Sequence, residues 1–346
     1  KKKKKKKKKK EKKKNIFYFS SDLFIEVLAV SLVSLLENNK NCKEINVYIV
    51  DDGITKEKKN KLQGMVDKYS STENIRKIIY LDAPSPNDLL KFNFKTRYQI
   101  GHSYFRMCIG TLLPDNIERV ICLDSDTLIC SDLEELWNTD MAGNILAGVA
   151  DCMNIKKYKR QFDMDDDDIY CNAGFYLVDL KKWRQENIEE KITNRIFKQN
   201  GNVFFFEQTL MNWSCRGKIL KLSPNYNAYT LFWAFEYDNL LRWRKPKNFY
   251  TYEQVQQAKN NPVIIHYTRN FYMLSRPWVE GCDHPMTAKY LEYKELTPWK
   301  EMHKDTRSNI MKLKYKVYHM LPQSVLSYIV CFLYNEVRPR MLWKNE

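Results

Sequence analysis

Short apolar runs alternate with amphipathic stretches along most of the chain. Ile16 to Phe19 reads as a short buried strand, and Leu23 to Glu37 as a helix with apolar residues on most faces. Ile45 to Val50 is a second strand running into Asp51-Asp52-Gly53, followed by a polar-faced helix from Thr55 to Tyr69. A third strand, Ile75 to Leu81, leads into a loop marked by Pro84 and Pro86; Ser103 to Leu113 looks helical, and Arg119 to Leu123 is the fourth strand. Beyond it come an apolar stretch from Ile145 to Ala150 ending at Asp151, an acidic loop from Asp163 to Asp168, the run Asn172 to Leu180, and a helix from about Lys181 to Gln199. Strands and helices in this order predict an α/β fold with a mainly parallel sheet flanked by helices, and ligands at the carboxyl ends of its strands.

Composition narrows the class. At 346 residues, 44% apolar and 14% aromatic, the chain buries a full core, and one large domain with an appendage fits best. The net charge of +16 is uneven: residues 1–14 carry +12, residues 304–346 carry +5, and the 289 residues between are nearly neutral at −1. The lysine block has nothing to bury and repels itself, so residues 1–14 are expected to be a disordered tail, an expression artefact or a coding-slippage product outside the fold. A nucleic-acid-binding face would interleave basic and aromatic residues across the body; here the charge lies at the ends, and no nucleic-acid partner is expected. Nine scattered cysteines without a Cys-x-x-Cys pair suit reduced thiols rather than a disulfide or zinc framework. Without a secretory signal or an apolar run long enough to span a bilayer, a cytoplasmic protein is expected.

Candidate chemistry begins at the tip of the fourth strand. Arg119 to Leu123 delivers Asp124-Ser125-Asp126 to the crevice end of the sheet, where two carboxylates offer hard oxygen ligands to a divalent metal that clamps a diphosphate. Taken alone, the triplet also fits a solvated surface turn.

Further motifs follow in a fixed order: Leu123-Asp-Ser-Asp-Thr-Leu-Ile129, Asp168-Ile-Tyr-Cys-Asn-Ala-Gly-Phe-Tyr-Leu-Val-Asp-Leu-Lys-Lys-Trp-Arg184, Glu207-Gln-Thr-Leu-Met-Asn212, Ile264-Ile-His-Tyr-Thr268 and Arg276-Pro-Trp278. This succession resembles the bacterial lipopolysaccharide galactosyl- and glucosyltransferases that belong with glycogenin in glycosyltransferase family eight. The likeness runs from about Ile16 to Trp278. It implies a GT-A catalytic domain over residues 15–280 and leaves residues 281–346 as a helical, basic and aromatic extension. It also implies Mn²⁺, with Mg²⁺ as the alternative, a UDP-glucose or UDP-galactose donor, and retaining transfer of the hexose to a cell-surface glycan or glycolipid acceptor.

The resemblance carries roles onto particular residues. Asp124, Asp126 and His266 are the implied metal ligands, and one imidazole beside two carboxylates favours manganese over magnesium. On its own, His266 equally reads as a core histidine after Val263-Ile-Ile265. Arg106 matches an arginine that reaches the donor, the alternative being a solvated helix arginine. Arg276 stands where relatives place a lysine on the diphosphate, and Ser125 lies between the two metal carboxylates. Asp151, Asn172 and Gly174 are expected at the sugar, with Asn-Ala-Gly as a plain turn the alternative. Glu207 and Gln208 are expected at the anomeric centre. An amide is a poor nucleophile, so a front-face route in which the departing phosphate helps deprotonate the acceptor hydroxyl is the better expectation; Glu207 could instead cap its helix.

Departures matter as well. Many relatives carry Asp-Asp-Asn-Tyr after the first strand, where this chain has Ser21-Asp22-Leu23-Phe24, so uracil contact is expected to fall to backbone groups, Ser20 or Ser21, and Asp22. That loss keeps open a second reading, a catalytically weak relative that binds a nucleotide sugar or glycan as a partner protein. The segment His266 to Trp278 is longer than its common form and has Arg269 in place of a glycine, which predicts altered acceptor specificity. At the C-terminus, Lys312, Lys314 and Lys316 with Tyr315 and Tyr318 precede the apolar Val325 to Tyr334, then Arg338, Arg340 and Trp343. This pattern suits an interfacial helix on an anionic membrane surface, peripheral to the inner face of the cytoplasmic membrane; a helix docked on the catalytic domain or a dimer interface is the alternative. The acceptor, the linkage and the oligomeric state are not fixed by the sequence.

Overall fold

A computed structural model describes residues 13–83, 105–152, 159–160, 162–201, 203, 205–270 and 276–337. A seven-stranded sheet in the order β3-β2-β1-β4-β7-β6-β8 is built from β1 (Lys13–Ser21), β2 (Glu44–Asp52), β3 (Ile75–Asp82), β4 (Arg119–Leu123), β6 (Leu146–Gly148), β7 (Phe175–Asp179) and β8 (Ile219–Lys221). A second sheet of three short strands, β5 (Thr127–Ile129), β10 (Ile264–His266) and β9 (Ala228–Tyr229), stands against it. β1 to β4 pair in parallel, as expected for strands buried on both faces. β7 is the exception: it runs antiparallel to both β4 and β6. Its register sets Leu123 opposite Phe175, which brings Asn172-Ala173-Gly174 to the tip of β4.

The helix α1 (Ile25–Asn38) is buried from Ile25 to Leu36 except at Glu26, because it lies between the main sheet on one side and β5 and the helix Thr287–Lys294 on the other. That position explains its apolar residues on most faces.

Three sequence expectations need correction. β1 starts at Lys13, so the last two lysines of the basic block belong to the fold; Lys13 pairs in register with Glu44 and bonds its carboxylate at 3.0 Å, and Lys14 is buried. The helix expected from Lys181 to Gln199 is two helices, Leu180–Gln185 and Ile188–Lys198, because Asn187 takes a left-handed conformation (φ 50°) that asparagine tolerates. The helix expected to end at Leu113 is interrupted at Cys108; Pro84, Pro86 and Ser103 fall outside the described residues. None of the nine cysteines is joined in a disulfide.

The C-terminal extension is helical through Asn309–Met320 and Gln323–Phe332. The second of these docks Leu326 and Val330 against the helix Tyr237–Arg244, where Gln323 Oε1 accepts from Glu236 N at 3.0 Å. The first buries no residue. Arg338, Arg340 and Trp343 lie outside the described residues. Among the described residues, no helix is long and apolar enough to cross a membrane.

Candidate active site

The turn after β4 is held from several directions. Asp124 N donates to Gly174 O at 3.0 Å, and Ser125 Oγ donates to Phe19 O at 2.8 Å, which ties the turn to β7 and to the end of β1. Thr127 Oγ1 donates to Asp124 O at 2.8 Å. With that proton committed, Ser31 must donate to Thr127 at 3.0 Å and Tyr18 to Ser31 at 2.9 Å, a buried hydroxyl chain from β1 through α1 to the turn. The chain then leaves as β5, whose antiparallel register with β10 sets Thr127 opposite His266. Tyr267 N closes the pairing on Asp126 O at 3.0 Å.

Three ligand atoms converge there. His266 Nε2 lies 3.2 Å from Asp126 Oδ1 and 3.5 Å from Asp124 Oδ2, and the ligand atoms of the three residues all lie within 4.8 Å of one another. Adjacent ligands on an octahedral ion with bonds of roughly 2.2 Å are roughly 3.1 Å apart, so the spacing fits one coordination sphere. The imidazole is oriented by Asn172, whose Oδ1 is 3.0 Å from His266 Nδ1 and also receives Gly174 N at 3.1 Å and Asn227 Nδ2 at 3.0 Å. An oxygen that accepts from three donors keeps a proton on Nδ1, so Nε2, between the carboxylates, is the nitrogen that would hold a metal in place of its own proton.

The outer oxygens of both carboxylates are held by arginines. Arg106 Nη2 pairs with Asp124 Oδ1, and Arg276 Nη1 lies 3.1 Å from Asp126 Oδ2. Each inner oxygen is thereby turned toward His266. Burial would raise the Asp126 carboxyl, but His266 and Arg276 beside it outweigh that and hold it below the ordinary carboxylate range. Arg106 is itself almost fully buried and donates from Nη1 to Glu207 Oε1 at 2.6 Å. Glu207 sits in the first turn of the helix Phe206–Ser214, yet its carboxylate serves Arg106. Burial pushes its carboxyl up to about 7, with the Asp124 charge adding to the rise and Arg106 opposing it.

Beside the cluster, Asp151 Oδ2 accepts from Asn172 Nδ2 at 3.0 Å and from Gln208 Nε2 at 3.3 Å, while Gln208 Oε1 accepts from Ala173 N at 3.0 Å. Asp151, Asn172 and Gln208 therefore form one polar wall joined to the three-residue cluster through Asn172. Gly174 has a role the sequence reading did not give it. A β-carbon there would lie 2.0 Å from His266 Cε1 and Nδ1, so the glycine seats the imidazole directly.

Other expected site residues are engaged elsewhere. Asp22 Oδ1 accepts from Thr55 N at 2.9 Å and Asp22 Oδ2 pairs with Lys58 at 3.1 Å, which fastens the end of β1 to the helix Lys56–Asp67. Ser20 is buried with Oγ on Ser21 O at 3.2 Å, and Ser21 is half-buried. Asn227, buried at the end of a 3₁₀ turn, was not anticipated; an asparagine in Pro224-Asn-Tyr-Asn227 reads as turn chemistry until its partner is known.

Comparisons with known proteins identify the family and the fold. Residues 15–280 match the model of glycosyl transferase family 8. The chain is 26% identical over 283 residues to general stress protein A of Bacillus subtilis, covering 81% of this chain and 92% of that protein. It is 24% identical over 307 residues to lipopolysaccharide 1,2-glucosyltransferase of Escherichia coli, covering 87% and 83%. Among solved structures, the galactosyltransferase LgtC in complex with donor and acceptor sugar analogues superposes with a TM-score of 0.65 at 23% identity, covering 87% of this chain and 99% of that one, which shows a shared GT-A fold. The family match takes in Asp124, Asp126, His266 and all the residues that hold them, and the chain belongs to glycosyl transferase family 8 as a glycosyltransferase of GT-A fold.

Proposed function

We propose that the chain moves a hexosyl group, glucose or galactose, from a UDP-sugar to a glycan or glycolipid acceptor with retention of configuration, using Mn²⁺ at Asp124, Asp126 and His266. The carrying observation is the convergence of Asp124 Oδ2, Asp126 Oδ1 and His266 Nε2, each oriented from behind by Arg106, Arg276 and Asn172 respectively. Two carboxylates and a neutral imidazole suit manganese. Bound there, the metal supplies Lewis-acid stabilisation of charge on the departing diphosphate. The lipopolysaccharide glucosyltransferase among the relatives supports the donor and acceptor classes.

The protein's residues divide the remaining work. Asp151, Asn172 and Gln208 form the wall that would hold the sugar hydroxyls. Gln208, as an amide, stabilises positive charge at the anomeric carbon through its carbonyl oxygen rather than attacking it. The acceptor hydroxyl then approaches on the face the diphosphate leaves, giving its proton to a phosphate oxygen. Glu207 acts at one remove, by fixing Arg106 against Asp124. Arg276 is the cation next to the diphosphate on the Asp126 side.

The C-terminal segment supports attachment to an anionic membrane surface, at the inner face of the cytoplasmic membrane. Ile310, Leu313, Val317 and Met320 form an exposed apolar stripe on the helix Asn309–Met320, next to Lys312 and Lys316. Apolar burial in the headgroup region and about 1 kcal/mol per nearby lysine act together there.

A panel of nucleotide sugars tests the enzymatic reading. Hydrolysis or transfer should be seen with UDP-glucose or UDP-galactose, should stop in EDTA and return with Mn²⁺, and should be absent in Asp126→Ala; turnover unaffected by EDTA and by that substitution contradicts it. Sedimentation with anionic vesicles tests attachment, which should weaken with salt and in Leu313→Glu/Val317→Glu; binding unchanged by both contradicts it.

A further inference from the structure

A cavity of about 420 Å³ opens beside the metal-ligand cluster, between the segment after β10 and the helix Asn309–Met320. Its described wall carries five cations, Arg269, Arg276, Lys304, Arg307 and Lys314, against a single acid, Asp305. Asp305 is already taken: Arg307 Nε and Nη2 each donate to it at 2.8 Å, and Lys312 Nζ lies 3.3 Å away. Four aromatic residues complete the wall, Phe24 just after β1, Trp278 under the Arg276 guanidinium, and Tyr315 and Tyr318 from the C-terminal helix. Cations in excess with aromatic faces between them suit a ligand that has both phosphates and a flat ring. The volume is within the range of small-ligand sites.

Two observations connect the cavity to the proposed donor. Arg276 belongs both to the cavity wall and, at 3.1 Å, to Asp126 of the cluster, so a diphosphate at the cluster would continue into the cavity. Phe24 lies at the carboxyl end of β1, where a doubly wound sheet receives nucleotides. The far wall, from Lys304 to Tyr318, lies beyond residues 15–280, the part that matches the family model.

Resting on the proposed nucleotide-sugar reading, which brings the donor's diphosphate past Arg276, we propose that the C-terminal segment, outside the part of the chain that matches the family, closes this cavity over the diphosphate and supplies part of its phosphate binding through Lys304 and Lys314. The helix Asn309–Met320 then has two faces at helical spacing. Met311, Lys314, Tyr315 and Tyr318 line the cavity, and Ile310, Leu313, Val317 and Met320 face outward. It is held at its start by Ser308 Oγ, which accepts from Met311 N at 3.3 Å, and at its middle by Tyr315 OH, which donates to Asp283 at 3.0 Å.

Calorimetric titration of UDP, inorganic pyrophosphate and uridine into the full chain with Mn²⁺ tests this. Both lysines are exposed, so Lys304→Ala/Lys314→Ala should keep the wild-type melting temperature. Its affinity for UDP and pyrophosphate should fall roughly tenfold or more, by a factor that shrinks with added salt, while uridine binding is unchanged. Lys304→Arg/Lys314→Arg should recover most of the loss. UDP binding that is lost in Asp126→Ala but unchanged in the double alanine variant overturns this assignment alone. A wild-type chain that takes up no UDP with Mn²⁺ overturns it together with the nucleotide-sugar reading. An equal loss for uridine and UDP also overturns it, since that marks a structural effect rather than phosphate binding.

Discussion

Replacing Gly174 by alanine should disable the proposed metal site while leaving all three of its ligand residues unsubstituted. An alanine β-carbon would stand 2.0 Å from His266 Cε1 and Nδ1, whereas ordinary contact begins at 3.4 Å, so the ring must retreat by about 1.4 Å. That movement stretches the 3.0 Å contact between His266 Nδ1 and Asn172 Oδ1 and carries Nε2 away from carboxylate oxygens now at 3.2 and 3.5 Å. Metal sites tolerate displacements of roughly 0.2 Å, and loss of an orienting partner alone costs roughly 10- to 100-fold in affinity. The overpacked core should lose about 1–3 kcal/mol. Urea unfolding in metal-free buffer reads the second effect and Mn²⁺ calorimetry the first. Gly64→Ala serves as control: nothing lies within 4 Å of its added carbon, and a helical alanine there should stabilise by about 0.5–1 kcal/mol. Wild-type stability and Mn²⁺ affinity in Gly174→Ala would refute the idea that this glycine seats the imidazole.

Two further predictions concern the buried charges beneath the site. Because the Glu207 carboxyl is pushed from its ordinary 4.5 up to about 7, the folded protein keeps a proton that the unfolded chain has released between those pH values. Its contribution is fully present below pH 4.5 and is lost as pH rises through 7, at about 1.4 kcal/mol per pH unit and about 3 kcal/mol in all. Glu207→Gln should remove that slope from denaturation free energies measured between pH 5 and 8, and an unchanged slope assigns it to another group. Arg106→Ala leaves two carboxylates facing a buried gap and should cost about 3 kcal/mol by the same measurement. Adding Glu207→Gln should return part of that cost, and strict additivity of the two substitutions would show that Arg106 and Glu207 are not coupled.

Much of the main sheet was legible because its strands are buried on both faces and read as unbroken apolar runs; β4 begins and ends where the pattern put it. The small sheet was not. β5 and β9 have three and two residues, and their pairing with β10 spans more than a hundred residues in the first case, so no local period announces them. The helix break at Asn187 was hidden for a related reason: a single left-handed residue leaves the apolar period of Ile188, Ile192 and Ile196 intact. Site residues show the same division. Asp124, Asp126, His266 and Gln208 were picked out by the resemblance their motifs carry, whereas the bond from Arg106 to Glu207 joins residues 101 apart and the seat under His266 is a glycine that looks like a turn. The aromatic and basic residues of the C-terminal segment were visible, but not that one face of their helix closes a cavity beside the cluster.

Electron paramagnetic resonance of Mn²⁺ titrated into the protein with and without UDP tests the central claim most directly, because the free aqueous ion and the bound ion have distinct signals. The wild-type chain should bind one Mn²⁺ with an affinity that rises when UDP is present. Asp126→Ala and His266→Ala should each lose that site while keeping the wild-type fold by circular dichroism. A variant lacking either side chain that still takes up one Mn²⁺ with UDP-dependent affinity contradicts the assignment of Asp124, Asp126 and His266 as the metal ligands.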